Sequence, residues 1–99
     1  MENKAISINA DGGQVVATLS GSLTVPNIGG IKSELDKVIG KAKSLKMEAT
    51  EVDDVDLSFV QLVLSLKAYC KTKGIVFETK FEFPAESQRL LDKAGLKMN

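Results

Sequence analysis

Apolar and polar residues trade places along this chain in two rhythms, a period of two in some segments and a spacing of three to four in others. Ala5 to Ala10 alternates and predicts a strand; Asp11-Gly12-Gly13 is a turn signal; Gln14 to Ser20 alternates again. The two strands read as a hairpin joined through glycine. Gly21-Ser22 closes the second strand, and Thr24-Val25-Pro26-Asn27 reads as a helix entry, with Thr24 or Asn27 as cap and Pro26 tolerated in the first turn. Ile28, Ile31, Leu35, Val38 and Ile39 then form the stripe of a one-sided amphipathic helix. Gly29 and Gly30 weaken its first turns, each by up to ~1 kcal/mol relative to alanine.

A third strand is predicted from about Leu45 to Thr50, with imperfect alternation, followed by an acidic loop from Glu51 to Asp56. A second helix runs from Leu57 or Ser58 to Lys73 and stops at Gly74, a good residue for a left-handed helix end. Projected at the helical repeat, Phe59, Val63, Leu66 and Cys70 share one side, flanked by Val60 and Leu62. Gln61, Ser65, Ala68 and Thr72 form the opposite stripe, and Leu64 lies near it, so an exposed leucine is expected. Ile75 to Thr79 reads as a fourth strand. Pro84 and Gly95 bracket a last helix whose apolar face is Leu90 and Leu91, with Leu96 packing after the stop. The order β-β-α-β-α-β-α predicts an α/β fold: one domain over residues 1–99, a four-stranded mixed sheet with amphipathic helices packed on it.

Size and composition narrow the functions available. A chain of 99 residues makes one domain and buries about 60–65% of its unfolded surface, enough for one core but no deep cavern. Thirteen basic and thirteen acidic residues cancel, so the electrostatic footprint of a nucleic-acid binder is missing. The aromatics Phe59, Tyr69, Phe77, Phe81 and Phe83 do not interleave with arginine, of which Arg89 is the only example. No apolar run approaches the ~20 residues of a membrane span, and the start of the chain lacks a signal-peptide core. A cytoplasmic protein without direct membrane insertion is expected. Cys70 has no second cysteine to pair with, in keeping with a reducing compartment, and its place on the inward helix face reads as a small buried hydrophobe. The chain has no histidine, which removes Ser-His and Cys-His nucleophilic pairs and histidine general bases. A non-enzymatic protein without cofactor or metal is the expectation.

The chemistry that remains gathers at the start of the second helix. Ser58 followed by Gln61 fits a Ser-x-x-Gln capping box. On local sequence the plain reading of Ser58 is a cap. A helix N-terminus also supplies free amides and positive dipole, which would accommodate a phosphate on that serine.

The residues around Ser58 carry a resemblance. Leu19-Ser20-Gly21-Ser22-Leu23 looks like the apolar-x-Gly-Glu-Leu/Ile-Asp segment that ends strand two in STAS domains. Asp56-Leu57-Ser58-Phe59-Val60 falls on the family's Asp-Ser-Ser-Gly-Leu signature, and Leu90-Leu91-x-x-x-Gly95-Leu96 is similar to its closing Leu-x-x-x-Gly-Leu. The chain therefore resembles a STAS domain of the anti-sigma-factor-antagonist type over nearly its whole length. The resemblance implies a signalling protein that binds a protein partner, a switch kinase or an anti-sigma factor, and is phosphorylated on the second serine of the signature. By position that acceptor is Ser58, and Asp56 is the preceding acid. The implied partner surface comprises Asp56, Leu57, Phe59, Gln61 and Leu64, with Ser22, Leu23 and Gly29 as the adjoining rim.

Two residues depart from the signature. Leu57 replaces a serine or threonine, and Phe59 replaces glycine. Phe59 either crowds the acceptor or turns inward and leaves Ser58 clear; the sequence allows both. Related domains also act without phosphorylation, as adaptor subunits of a lipid-transport ATPase or within stress and chemotaxis assemblies. In those settings Ser58 would be a cap inside an interface. A third reading gives Glu48, Glu51, Asp53, Asp54 and Asp56 to a hard cation. These acids lack the Asp-x-Asp-x-Asp-Gly loop with its closing glutamate, and a solvated acidic loop is the simpler expectation.

Overall fold

The computed structural model describes residues 6–93. Ala5, Gly95 and Leu96 of the sequence reading lie outside them. The elements follow the expected order: β1 (Ile6–Asp11), β2 (Gln14–Leu23), α1 (Val25–Ile39), β3 (Ser44–Val55), α2 (Leu57–Lys73), β4 (Val76–Phe81) and α3 (Ala85–Lys93). The sheet order is β1-β2-β3-β4. The first pair is antiparallel, closed by Gly12 and Gly13, both at positive φ. The next two pairs are parallel. Because the strand order advances in one direction through two right-handed crossovers, α1 and α2 fall on the same face of the sheet.

One core results. Val15, Ala17 and Leu19 of β2, Leu45, Met47 and Ala49 of β3, Ile31 and Leu35 of α1, Phe59 and Val63 of α2 and Leu91 of α3 join a single buried cluster. The opposite sheet face carries Val16, Thr18, Lys46, Glu48, Glu78 and Lys80, none of them buried. Gly74 ends α2 in the left-handed conformation at φ 73°, and its amide bonds to the carbonyls of Cys70 and Lys71.

The acidic segment is not a loop. It continues β3 to Val55, six residues past Ala49, the last residue of the regular register. Pairing runs regularly to Leu19 opposite Ala49, then shifts so that Gly21 faces Val52 and Ser22 faces Asp54. Glu51 takes φ 52° and Gly21 φ 76° at this point. The extra residues of the bulge change the burial spacing from two to three, so Leu45, Met47 and Ala49 are followed inward by Val52 and Val55. Glu51, Asp53 and Asp54 stay outside. A strict period of two cannot detect such a strand. Pro84 also sits one residue before α3 rather than inside it, its carbonyl accepting from the Gln88 amide at 3.0 Å.

Candidate functional site at the carboxyl ends of the central strands

β2 and β3 end together. Leu23 pairs with Val55, and the Asp56 amide donates to the Leu23 carbonyl at 3.3 Å. One residue later each chain enters a helix, so the N-termini of α1 and α2 emerge side by side at the carboxyl edge of the parallel strands.

Asp56 joins the two helices. One carboxylate oxygen accepts from the Ser58 amide at 2.9 Å and also from the Ser58 hydroxyl. The other accepts from the Val25 amide at 3.1 Å, 31 residues away in sequence and in the first turn of α1. The expected Ser58–Gln61 capping box is therefore corrected. Asp56, in extended conformation, is the N-cap of α2. Ser58 stands inside the helix as a donor to that cap, and among the described residues no hydrogen bond joins it to Gln61. The signal was present in the sequence, since aspartate ranks with serine as an N-cap. Partial burial pushes the Asp56 carboxyl up. Its bonds from the Ser58 hydroxyl and the Val25, Ser58 and Phe59 amides outweigh that and hold it below its ordinary value.

At the start of α1, Thr24 occupies the cap position without a side-chain cap bond, and Asn27 instead donates from Nδ2 to the Ser22 carbonyl at 2.7 Å. The missing cap is supplied from α2's side, through Asp56 to Val25. Nothing in the local sequence of α1 announces that bond.

The predicted surface residues separate into two groups. Leu57 at 53%, Leu64 at 42% and Gln61 are exposed on the outer side of α2, Asp56 and Ser58 are half-buried, and Ser22 and Gly29 reach the surface at the neighbouring strand end and helix. Leu23 and Phe59 are fully buried and are withdrawn from the partner surface. Phe59 turns inward, as its helical phase allows. Its ring meets Phe81 edge-on at 5.4 Å and Phe83 at 5.8 Å. The aromatic that replaces the signature glycine is thus a core residue and does not cover Ser58. Gly29 has open space where a Cβ would stand, so no packing within the chain requires glycine there. Val25, unmarked by the sequence pattern, is 66% exposed beside Asp56 and adds to the apolar patch. Cys70 is buried, and burial pushes its thiol up, consistent with a packing role. Among the described residues no helix is long and apolar enough to cross a membrane, and no three carboxylate or thiol side chains gather as metal ligands.

Solved structures place this architecture. The anti-sigma factor antagonist SpoIIAA in its unphosphorylated form superposes with a TM-score of 0.67 at 16% identity, over 92% of this chain and 98% of that one. The chain has the STAS fold. One structure of Mglu also matches, with a TM-score of 0.65 at 16% identity over 82% of this chain and 20% of that one. Mglu in its native form matches with a TM-score of 0.62 at 13% identity, over 81% and 24%. The chain thus spans about a fifth to a quarter of Mglu and nearly all of SpoIIAA. No protein-family model and no curated protein sequence matches it.

Proposed function

We propose that this protein is a non-enzymatic regulator of the anti-sigma-factor-antagonist type. It binds a partner protein, a serine kinase or an anti-sigma factor, at the paired N-termini of α1 and α2, and phosphorylation of Ser58 controls that binding. The observation that carries this reading is the Ser58–Asp56–Val25 chain of hydrogen bonds, flanked by exposed Leu57 and Val25. A phosphoryl group on Ser58 removes the hydroxyl donor and adds about −1.5 to −2 charges beside a carboxylate already held in its ionised form. The helix dipole favours that charge by roughly 0.3–1 kcal/mol, while the Asp56 carboxylate and any apolar or acidic partner surface oppose it. Asp56 also holds the Val25 amide, so the repulsion reaches the start of α1. The partner would sense both helix ends.

Intact-mass spectrometry of the protein from its own cells, with site mapping and a Ser58→Ala control, is expected to find one added phosphate that the control lacks. Ser58→Glu is expected to weaken partner binding by about tenfold or more. Absence of phosphate under all growth and stress conditions overturns the switch. A constitutive adaptor, the second reading, is favoured by the exposure of Leu64 well along α2. In that case Leu64→Asp disrupts copurification of the partner and Ser58→Glu leaves it unchanged.

A further inference from the structure

We propose that β4 pairs edge to edge with β4 of a second copy of this chain, giving a two-fold symmetric dimer with a continuous eight-stranded sheet. β4 ends the sheet order, and among the described residues its outer side bonds to nothing. The Val76 and Glu82 amides donate towards β3, to the carbonyls of Lys43 at 3.1 Å and Ala49 at 2.9 Å. Backbone groups of successive strand residues point to opposite edges. Phe77, Thr79 and Phe81 therefore present their N–H and C=O groups outward, a ready template for another strand.

Symmetry and charge select one register. A two-fold axis through Thr79 opposes Thr79 to its own copy and Phe77 to Phe81, all outward-bonding residues, for about six backbone hydrogen bonds. It then opposes Glu78 of one chain to Lys80 of the other, twice, at the non-hydrogen-bonded positions where side chains come closest. Moving the axis by one residue opposes Glu78 to Glu78, or Lys80 to Lys80. Within each chain Lys46 lies beside Glu78 and Glu48 beside Lys80 in register, with Lys46 and Glu48 themselves 3.4 Å apart. Across the dimer the open face would read Lys46, Glu78, then the second copy's Lys80 and Glu48, signs alternating through four strands. Charges on an edge strand commonly deter pairing. Here the two signs flank the axis, so they deter a neutral or shifted strand and match their own copy. The strand is short, so the contact is smaller than a standard interface and the dimer is weak.

The test is sedimentation equilibrium of the full chain across the micromolar to millimolar range. Wild type is expected to dimerise. Glu78→Lys and Lys80→Glu, each alone, place like charges opposite each other and should weaken the dimer by about tenfold or more. An equimolar mixture of the two variants should recover it, because each supplies the sign the other lacks. Circular dichroism checks that both variants are folded. Wild type that stays monomeric throughout, or single variants that dimerise as well as wild type, overturns the proposal. A mixture no better than its components overturns it equally.

Discussion

Truncating Phe59 to alanine is expected to lower the stability of the domain by about 3–5 kcal/mol. The ring is fully buried and makes edge contacts with both Phe81 and Phe83. Removing it deletes transferred apolar surface and leaves a cavity between α2 and the end of β4. A small domain holds only about 5–15 kcal/mol in all, so this single change would remove about a fifth or more of it and lower the midpoint of a urea titration in proportion. Phe59→Leu keeps most of the volume and should cost less than about 1.5 kcal/mol. Phe59→Gly restores the residue of the STAS signature, yet it should be worse than alanine by about 1 kcal/mol from helix propensity. Urea unfolding followed by circular dichroism reads all three. A Phe59→Ala midpoint within error of wild type would show that the ring does not hold the core.

Replacing Asp56 with alanine is expected to cost about 1–2 kcal/mol, the upper range for an N-cap because two helices lose a partner. The carboxylate is only half-buried, so solvent screens its charge, and the capping contribution sets the scale. Its folded value lies below its ordinary one. The unfolded chain therefore binds the proton more readily. The stabilisation is complete above the unfolded carboxyl range, from about pH 5 upward, and is lost as pH falls through the folded value. Asp56→Asn keeps an acceptor oxygen and should retain much of the cap at neutral pH. It should also flatten the loss of stability between about pH 5 and pH 2. Urea midpoints of wild type and Asp56→Asn, compared at neutral and acid pH, check this. Parallel pH curves for the two proteins would remove Asp56 from its role as the link between α1 and α2.

The two helix stripes show which features local sequence carries. Ile31, Leu35 and Ile39 of α1 and Phe59, Val63, Leu66 and Cys70 of α2 are all buried where their spacing places them, because helical phase alone assigns a residue to the core side. Leu64 is exposed for the same reason. β3 was only half legible. Its bulge arises from the pairing of Gly21 with Val52 across two strands, and a cross-strand register leaves no mark in either segment read alone. The site divides in the same way. Asp56 and Ser58 stand out as polar residues at a helix start, but which one caps depends on backbone conformation at Asp56. The bond to Val25 depends on where a separate helix begins.

By itself the sequence determined the element order, the faces of α1 and α2, the stop at Gly74 and the position of the chemistry at Asp56 and Ser58. These follow from periodicity, capping preference and glycine's conformational freedom, which act over a few neighbouring residues. Only the tertiary structure decided that the acidic segment is strand and that Phe59 fills the core. It alone decided that Leu23 is hidden and that one carboxylate serves both helices. Each of these depends on a partner far away in the chain, and only folding brings such partners together.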